Sequence, residues 1–206
     1  MFMNTATRST GRSLWVATRA LLLFTVVLGI GYTLLITAVG QLAFPAQANG
    51  SLVRNAEGEV VGSSLIGQNF TAADGEPLPE YFQPRPSAAG DGYDGGASSG
   101  SNWGPENEDL IAAIEERKAQ IAEFNGVSPD EIPADAVTAS SSGLDPHISP
   151  QYAQLQVQRV SDARGLTVDQ VQGILDEHAQ GRDLGYLGEP TVNVVELNLA
   201  LDQLED

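Results

Sequence analysis

Serine, aspartate and histidine lie close together in one stretch of the sequence, VTASSSGLDPHISP, from Val137 to Pro150. These residue types form hydrolytic triads, in which serine is the nucleophile, histidine is the base and the acid orients the histidine. A triad also requires that the side chains converge beside an oxyanion hole, and residues adjacent in sequence seldom do so. The chain contains no Gly-x-Ser-x-Gly elbow either. We therefore predict no catalytic residue in this stretch.

A structural turn accounts for more of the same residues. The side chains of Ser140–Ser142 and Asp145 can hydrogen-bond nearby backbone, and Gly143 can adopt a positive φ. The Ser149–Pro150 pair is typical of a helix start. Asp145 and His147 are candidates for docking a partner protein, the alternative being that they only brace the turn.

Metal binding and phosphoryl transfer have little support in the sequence. The chain has no cysteine, and its two histidines, His147 and His178, belong to no paired ligand motif. Asp91 and Asp94 lie in a glycine-rich stretch and could hold calcium, but EF-hand spacing is absent and a solvated loop is the alternative. No Walker sequence occurs, and Lys118 is the only lysine. We predict no metal site and no firmly bound cofactor.

The net charge of −17 is unevenly distributed along the chain. The first 44 residues hold three of the ten basic residues and no acid, whereas the remainder holds seven basic residues and all 27 acids, a net charge of 7 − 27 = −20. A region this acidic repels phosphate backbones, which argues against a nucleic-acid partner. One interpretation of the charge is local enrichment of cations; solubility or adaptation to a salty habitat is the other.

One segment has the length and composition of a membrane span. Residues 20–39 read ALLLFTVVLGIGYTLLITAV without a charge, and at about 1.5 Å per residue this helix would be about 30 Å long. The nearby basic residues precede the span, so the positive-inside rule predicts which side each end occupies. We predict a cytoplasmic N-terminus at 1–19, an anchor helix at 20–42 and an extracytoplasmic domain at 43–206, hence a single-pass protein of the cell membrane in contact with lipid.

A cleaved secretory signal is the alternative to an anchor. Ala46-Gln47-Ala48 resembles a signal-peptidase site, but the apolar run before it is longer than the usual signal core. Within the run, Gly29, Thr33 and Gly40 are small enough to let another helix approach closely. We take these three residues as candidates for helix docking, although glycine is also simply common in membrane helices.

The region after the span reads as an α+β domain. Residues 51–70 predict a hairpin that reverses near Asn55–Gly58. A helix is predicted at about 105–125, followed by a short turn at 128–131. A second helix runs from Pro150 to Gly165, and Arg159 and Arg164 complement the C-terminal end of that helix. A third helix follows the capping box that begins at Thr167. Near the C-terminus, the alternation of Val195, Leu197, Leu199 and Leu201 predicts a half-buried strand. Residues 88–104, rich in glycine and serine, are either a flexible linker or an ordered loop that includes Tyr93 and Trp103.

Six stretches of the domain resemble, in order and spacing, the C subunit of the Kdp-type potassium-transporting ATPase, the KdpC family. They are GSSLIGQNF (62–70), YFQPRPSAAG (81–90), SGSNWGPEN (99–107), VTASSSGLDPHISP (137–150), QRVSDARG (158–165) and LGEPTVNVVELNLALD (187–202). Each motif alone is weak, but six in order over most of the domain are specific.

The resemblance implies a non-catalytic, single-span subunit that is needed for assembly or activity of an ATP-driven potassium uptake complex. Its implied partners are a channel-like potassium-translocating subunit, a P-type ATPase subunit and a very small membrane subunit. Two roles are implied: a catalytic chaperone that raises the ATP affinity of the ATPase subunit, and an assembly or gating element on the outer face of the channel-like subunit. The chaperone role would involve Ser99, Gly100 and Ser101 as nucleotide contacts, but Ser99 stands where the family often has glycine. The competing expectation is a free-standing, membrane-anchored extracytoplasmic enzyme or sensor domain.

Overall fold

The computed structural model describes residues 5–204, with side chains from residue 10 onward. The chain forms two compact units, Met1–Ser51 and Leu52–Asp206. The first is helical and the second contains both helices and strands. A single N-terminal apolar helix followed by an α+β domain is the predicted fold class, and the structure confirms it.

The first unit is an almost continuous helix. Helix α1 (Thr5–Phe24) passes through wider π-helical turns (Thr25–Tyr32) into α2 (Thr33–Ala43), and the short helix α3 (Pro45–Ala48) follows. By length and composition, residues Thr10–Ala43 could cross a membrane, and none of the residues in their apolar window is buried within the protein. Apolar side chains with no core of their own need lipid or another helix as their surroundings.

The second unit opens with the predicted hairpin. Strand β1 (Leu52–Arg54) pairs antiparallel with β2 (Val60–Ser63). The reversal between them is closed by the Asn55 N–H, which donates to the Glu59 carbonyl at 3.1 Å, and Gly58 supplies a φ of +83°. Asparagine and glycine suit such a reversal because both tolerate turn conformations that other residues avoid.

The longer helices of the second unit begin at side-chain caps. Helix α4 (Glu108–Asn125) is capped by Asn107, and a 3₁₀ turn (Pro129–Glu131) and α5 (Ala134–Val137) follow. Ser149 caps α6 (Pro150–Arg164), and the Thr167–Gln170 capping box starts α7 (Val168–His178). The caps at Ser149 and Thr167 confirm the sequence prediction, because capping depends on residues a few positions apart.

A small antiparallel sheet joins distant parts of the second unit. Its strands are β3 (His147–Ile148), β4 (Ala179–Gln180) and β5 (Thr191–Asn193), in the order β3-β5-β4. The chain then enters helix α8 (Val194–Asp202).

The predicted strand over residues 195–201 is therefore wrong. The Asn193 side chain accepts hydrogen bonds from the N–H groups of Val195 and Glu196, which starts a helix instead. In this helix the buried residues follow a helical spacing: Val194, Val195, Leu197, Asn198 and Leu201.

The hydrophobic core lies among α6, α7, α8 and the small sheet. It consists of the following buried side chains: Phe82, Ile132, Ala136, Val137, Ile148, Tyr152, Ala153, Val157, Val160, Val171, Leu175, Val192, Val194, Leu197 and Leu201. Phe82 comes from an extended segment rather than from a helix or strand, so something must pair its backbone.

Two side-chain amides pair the backbone of Phe82 and Gln83. The Phe82 N–H donates to Asn198 Oδ1 at 2.8 Å, and Asn198 Nδ2 donates to the Phe82 carbonyl at 2.9 Å. The Gln83 N–H donates to Gln156 Oε1 at 2.7 Å, and Gln156 Nε2 donates to the Gln83 carbonyl at 3.1 Å. Asn198 and Gln156 are fully or almost fully buried, so they replace a neighbouring strand as hydrogen-bond partners. We call these four residues the amide clamp.

Arg159 differs from its sequence-based interpretation. It does not complement a helix C-terminus in solvent; it is 9% exposed and stacks over the Phe124 ring at 4.4 Å from the ring centroid. Its guanidinium donates to the carbonyls of Pro79 and Tyr81 and to the side chains of Asn125 and Gln156. A buried charge requires acceptors of this kind, and Arg159 has four.

Candidate functional site

The turn at 138–147 and the segment at 85–104 lock together through Arg85. Its Nη1 donates to Asp145 Oδ2 at 3.0 Å, and its Nε and Nη2 donate to the Thr138 carbonyl at 3.3 and 3.2 Å. One guanidinium thus bridges both ends of the turn. We call the two segments together the loop lock.

Asp145 is the centre of the hydrogen bonding in the loop lock. Besides Arg85, its carboxylate accepts from the His147 backbone N–H at 3.0 Å and approaches His147 Nδ1 at 3.1 Å. Burial alone would raise the pKa of Asp145, but the hydrogen bonds from His147 and the positive charge of Arg85 outweigh burial and lower that pKa. The carboxylate is therefore ionised at neutral pH and braces the turn.

The three serines hold backbone rather than a histidine. Ser142 Oγ accepts from the Leu144 N–H at 3.1 Å and lies 3.4 Å from Ser140 Oγ. The Ser142 carbonyl accepts from the Ser99 N–H at 3.0 Å and from Ser98 Oγ at 2.9 Å. The predicted hydrogen-bonded turn is present, and within the described residues its serines make no hydrogen bond to His147.

Close backbone packing explains two glycines of the loop lock. Gly143 has a φ of +68°, and a Cβ at this position would lie 2.6 Å from the Ser99 carbonyl oxygen. A Cβ at Gly100 would lie 2.9 Å from the Ser141 carbonyl oxygen. The glycine-serine stretch is thus seated against the turn, as an ordered loop rather than a linker.

Tyr93 fixes the other end of the glycine-rich segment. It adopts a φ of +56°, its hydroxyl donates to the Arg85 carbonyl at 2.8 Å, and its N–H donates to Ser87 Oγ at 2.8 Å. Burial, followed by the charge of Asp145, raises the pKa of Tyr93, so the phenol stays protonated and keeps donating. A tyrosine in a run of small residues was the sequence signal for this order.

The nucleotide candidates Ser99, Gly100 and Ser101 lie where the loop meets the turn. The Ser99 N–H is already bonded to Ser142, and Ser99 Oγ donates to the Gly100 carbonyl at 3.2 Å. At the following helix, Asn107 caps the N–H groups of Asp109 and Leu110, and the first turn carries acids. A helix start that is capped and acidic is unfavourable for a phosphate.

Asp91 and Asp94, the calcium candidates, do not come together with a third ligand. Asp94 accepts from the Gly96 N–H at 2.8 Å, which is a local turn. Among residues 5–204, no group of three or more histidines or acids is placed to hold a metal ion. His178 lies apart from His147 at the end of α7, where its Nδ1 is 2.9 Å from the Ile174 carbonyl.

The helix-docking candidates lie along the apolar helix. Gly29 belongs to the π-helical turns, and Thr33 and Gly40 are two turns apart on one face of α2. A Cβ at Gly40 would touch the Cβ of Ala48 at 3.7 Å, so Gly40 admits the short helix α3. Docking of a partner helix at these positions stays a prediction.

A cleft that sequence reasoning missed lies beside the hairpin. It has a volume of about 410 Å³, and its lining includes the apolar residues Val61, Phe70 and Leu199 and the acids Glu57 and Asp202. Its walls come from three separate parts of the chain, so no local pattern could reveal it.

One candidate span followed by an acidic α+β unit is the architecture of a membrane-anchored protein with one domain outside the bilayer. The particular family follows from the sequence: the model of the family described as K+-transporting ATPase, c chain, matches residues 14–203. The chain belongs to this family, KdpC.

Proteins named potassium-transporting ATPase KdpC subunit are similar to the chain over nearly its whole length. The protein from Mycobacterium tuberculosis (strain ATCC 25618 / H37Rv) is 53% identical over 194 residues, which cover 94% of this chain and 99% of that protein. The Kineococcus radiotolerans protein is 55% identical over 181 residues, 88% of each chain. The Caulobacter sp. (strain K31) protein is 56% identical over 181 residues, 87% of this chain and 88% of that one. The resemblance found in the six motifs is confirmed.

Proposed function

We propose that this chain is a non-catalytic accessory subunit of a high-affinity, ATP-driven potassium uptake complex, required for its assembly and activity. The observation that carries this proposal is membership of the KdpC family over residues 14–203 in a chain with one candidate span among the described residues. One helix cannot enclose a solute pathway, so transport requires partner subunits. The sequence also lacks a Walker motif and the Asp-Lys-Thr-Gly phosphorylation motif of P-type ATPases.

The proposal includes an orientation and a division of the chain. Residues 1–19 lie in the cytoplasm, 20–42 form the anchor and 43–206 lie outside, because the three arginines of the first 44 residues precede the apolar run. The anchor packs against the channel-like subunit and the small membrane subunit, with Gly29, Thr33 and Gly40 at the contact. Surrounding lipid covers the rest of its apolar surface.

The acidic domain acts at the outer mouth of the channel-like subunit. Its net charge of 7 − 27 = −20 attracts monovalent cations, so potassium is concentrated near the entrance. Sodium is concentrated equally, and selectivity therefore resides in the partner. Neutralising several exposed acids at low salt should raise the potassium concentration needed for half-maximal uptake; unchanged uptake would leave solubility as the role of the charge.

A second candidate function is that of a catalytic chaperone that raises the ATP affinity of the P-type ATPase subunit. The glycine-serine stretch at 97–101 favours it by residue type, and the bonded Ser99 N–H and the acidic first turn of α4 count against direct ATP contact. We therefore propose that ATP binds to the P-type ATPase subunit, and that this chain affects ATP affinity only through its contacts with the partner subunits. This chain itself binds no cofactor firmly.

Co-expression with the three partner subunits tests the proposal. Purification through a tag on the P-type ATPase subunit should retain this chain, and its omission should abolish potassium-stimulated ATP hydrolysis. Full assembly and full activity without the chain would overturn the subunit role and favour a free-standing anchored domain. ATP titrations of the complex with Ser99→Ala and Ser101→Ala should match the unaltered complex; a large rise in the ATP concentration required would instead support direct nucleotide contact.

A further inference from the structure

The segment between strands β4 and β5 projects from the second unit as an arm. Every residue from 179 to 190 is exposed. The arm nevertheless has a defined backbone, because β4 pairs with β5 at its base, with Gln180 opposite Thr191. Further out, Asp183 and Leu187 exchange two hydrogen bonds of 2.9 Å, and Arg182 forms an ion pair with Glu189. We call residues 179–190 the β4–β5 arm.

The tip of the β4–β5 arm is apolar. Leu184 is 82% exposed, Tyr186 69% and Leu187 48%, and all three lie within four positions. Leu184 also has a φ of +53°, a conformation that is unfavourable for a residue with a branched side chain. This conformation belongs to the tight turn that Leu184 makes with Gly185, whose φ is +81°. The turn holds an apolar side chain in water at the tip, and clusters of exposed apolar side chains mark interaction sites.

The negative charge of the second unit disfavours some of the possible binding partners of the tip. The second unit carries a net charge of −20, so two copies of the chain repel one another and an anionic lipid surface repels the domain. At the tip itself, the Asp183 carboxylate makes no hydrogen bond or ion pair with any described residue. A protein surface with an apolar pocket and a basic side chain at its rim complements both features.

We propose that the β4–β5 arm is the docking element of this subunit, and that its tip inserts into an apolar pocket with a basic rim on the outer face of the channel-like subunit. The inference rests on the proposed accessory function and adds the contact to it. The backbone hydrogen bonds and the Arg182–Glu189 ion pair hold the arm in shape before binding, which lowers the entropy cost of docking. Tyrosine is one of the residue types that most often dominate such contacts when it fills a desolvated pocket.

Retention of the chain in the co-expressed complex tests the arm. In the full complex, purified through a tag on the P-type ATPase subunit, the Leu184→Ser, Tyr186→Ser pair should reduce retained chain by about tenfold, as expected for loss of pocket-filling side chains. The matched control is Ile111→Ser with Val168→Ser, two apolar side chains that are 47% and 41% exposed on α4 and α7. The control should be retained like the unaltered chain.

A photocrosslinker at the tip gives a readout that does not depend on the stability of the variants. With p-benzoylphenylalanine in place of Tyr186, ultraviolet light should join this chain to the channel-like subunit, whereas the same group in place of the exposed Glu116 should not. Equal retention of all variants, or crosslinks from the tip only to lipid, to a second copy of the chain or to a different subunit, would overturn docking of the arm on the channel-like subunit. If the unaltered chain itself fails to co-purify, the accessory function fails instead, so the two failures are distinguishable.

Discussion

Replacing Arg159 by leucine should destabilise the second unit strongly. The guanidinium is 9% exposed, and it donates to the Pro79 and Tyr81 carbonyls as well as to two side-chain oxygens. Burial lowers the pKa of Arg159 to about 10, which still leaves the group charged at pH 7. Leucine fills part of the volume and offers no donor, so these acceptors lose their partners.

The size of the effect follows from the same contacts. A hydrogen bond from a charged donor contributes roughly 1.5–3 kcal/mol, so losing four such bonds would by itself cost roughly 6–12 kcal/mol. Removing the guanidinium also removes the cost of its own burial, several kcal/mol, so the net loss should be about 3–5 kcal/mol. Against a total stability of roughly 5–15 kcal/mol for a domain, this is a large fraction.

Urea denaturation of the full chain in detergent micelles measures this loss. With a slope of about 1.5–2 kcal/mol per molar urea, the midpoint of the near-ultraviolet dichroism transition should fall by about 1.5–3 M. The urea midpoint of Arg159→Lys should lie between those of Arg159→Leu and the unaltered chain, because lysine keeps the charge but lacks the planar guanidinium that reaches several acceptors.

Arg54→Leu is the matched control for Arg159. Arg54 is exposed and donates one hydrogen bond to the Gly58 carbonyl, so its loss should cost about 0.5 kcal/mol or less. If Arg159→Leu and Arg54→Leu shift the midpoint equally, buried guanidinium bonding does not hold the 79–81 segment, and the reasoning is refuted.

Three further substitutions test the loop lock and the amide clamp in the same urea assay. Asp145→Asn should lower the free energy of unfolding by about 1–2 kcal/mol at pH 7. Because folding lowers the pKa of Asp145, the stability of the unaltered chain should also fall as the pH drops below the ordinary value of 3.8. The variant should lose that part of the pH dependence. Asn198→Asp should cost more than about 3 kcal/mol, since it buries a carboxylate that cannot donate to the Phe82 carbonyl. Gly143→Ala should cost about 2–4 kcal/mol, because φ is +68° and the added Cβ meets the Ser99 carbonyl.

Each of these substitutions has a control of the same chemistry at an exposed or open position. Glu177→Gln removes an exposed acid from α7, Asn102→Asp adds one to the glycine-rich loop, and Gly104→Ala adds a Cβ with no atom within 4 Å. All three should stay within about 0.5 kcal/mol of the unaltered chain. A control that matches its test variant would mean that the named contact contributes little.

Local signals predicted the parts of the fold that depend on local contacts. Ser149 and Thr167 start their helices as the sequence indicates, because each caps a backbone N–H three positions away. The prediction of a C-terminal strand is wrong because the run is so rich in apolar residues that it fits two patterns. Positions 195, 197, 199 and 201 alternate as in a strand, whereas positions 194, 197, 198 and 201 have the spacing of a helix. Asn193, a capping residue, was the signal that separated the two patterns.

The contacts that build the loop lock could be predicted only in part. The turn itself follows from its residue types, and the bonds between Asp145 and His147 are local. Docking of a partner at these two residues stays a prediction. Arg85 lies 60 positions from Asp145, and no periodic pattern links them. The same holds for the β4–β5 arm, whose exposure depends on how the rest of the domain packs.

The amide clamp also dictates when the domain can fold. The Phe82 backbone is separated from Asn198 by 116 positions and the Gln83 backbone from Gln156 by 73. On the ribosome, residues 82 and 83 emerge long before α6 and longer still before α8. Contacts of such long range form slowly and cannot nucleate early. The domain therefore cannot complete its core until α8 has been synthesised, and any factor that handles the nascent chain before then receives it with this segment still unpaired.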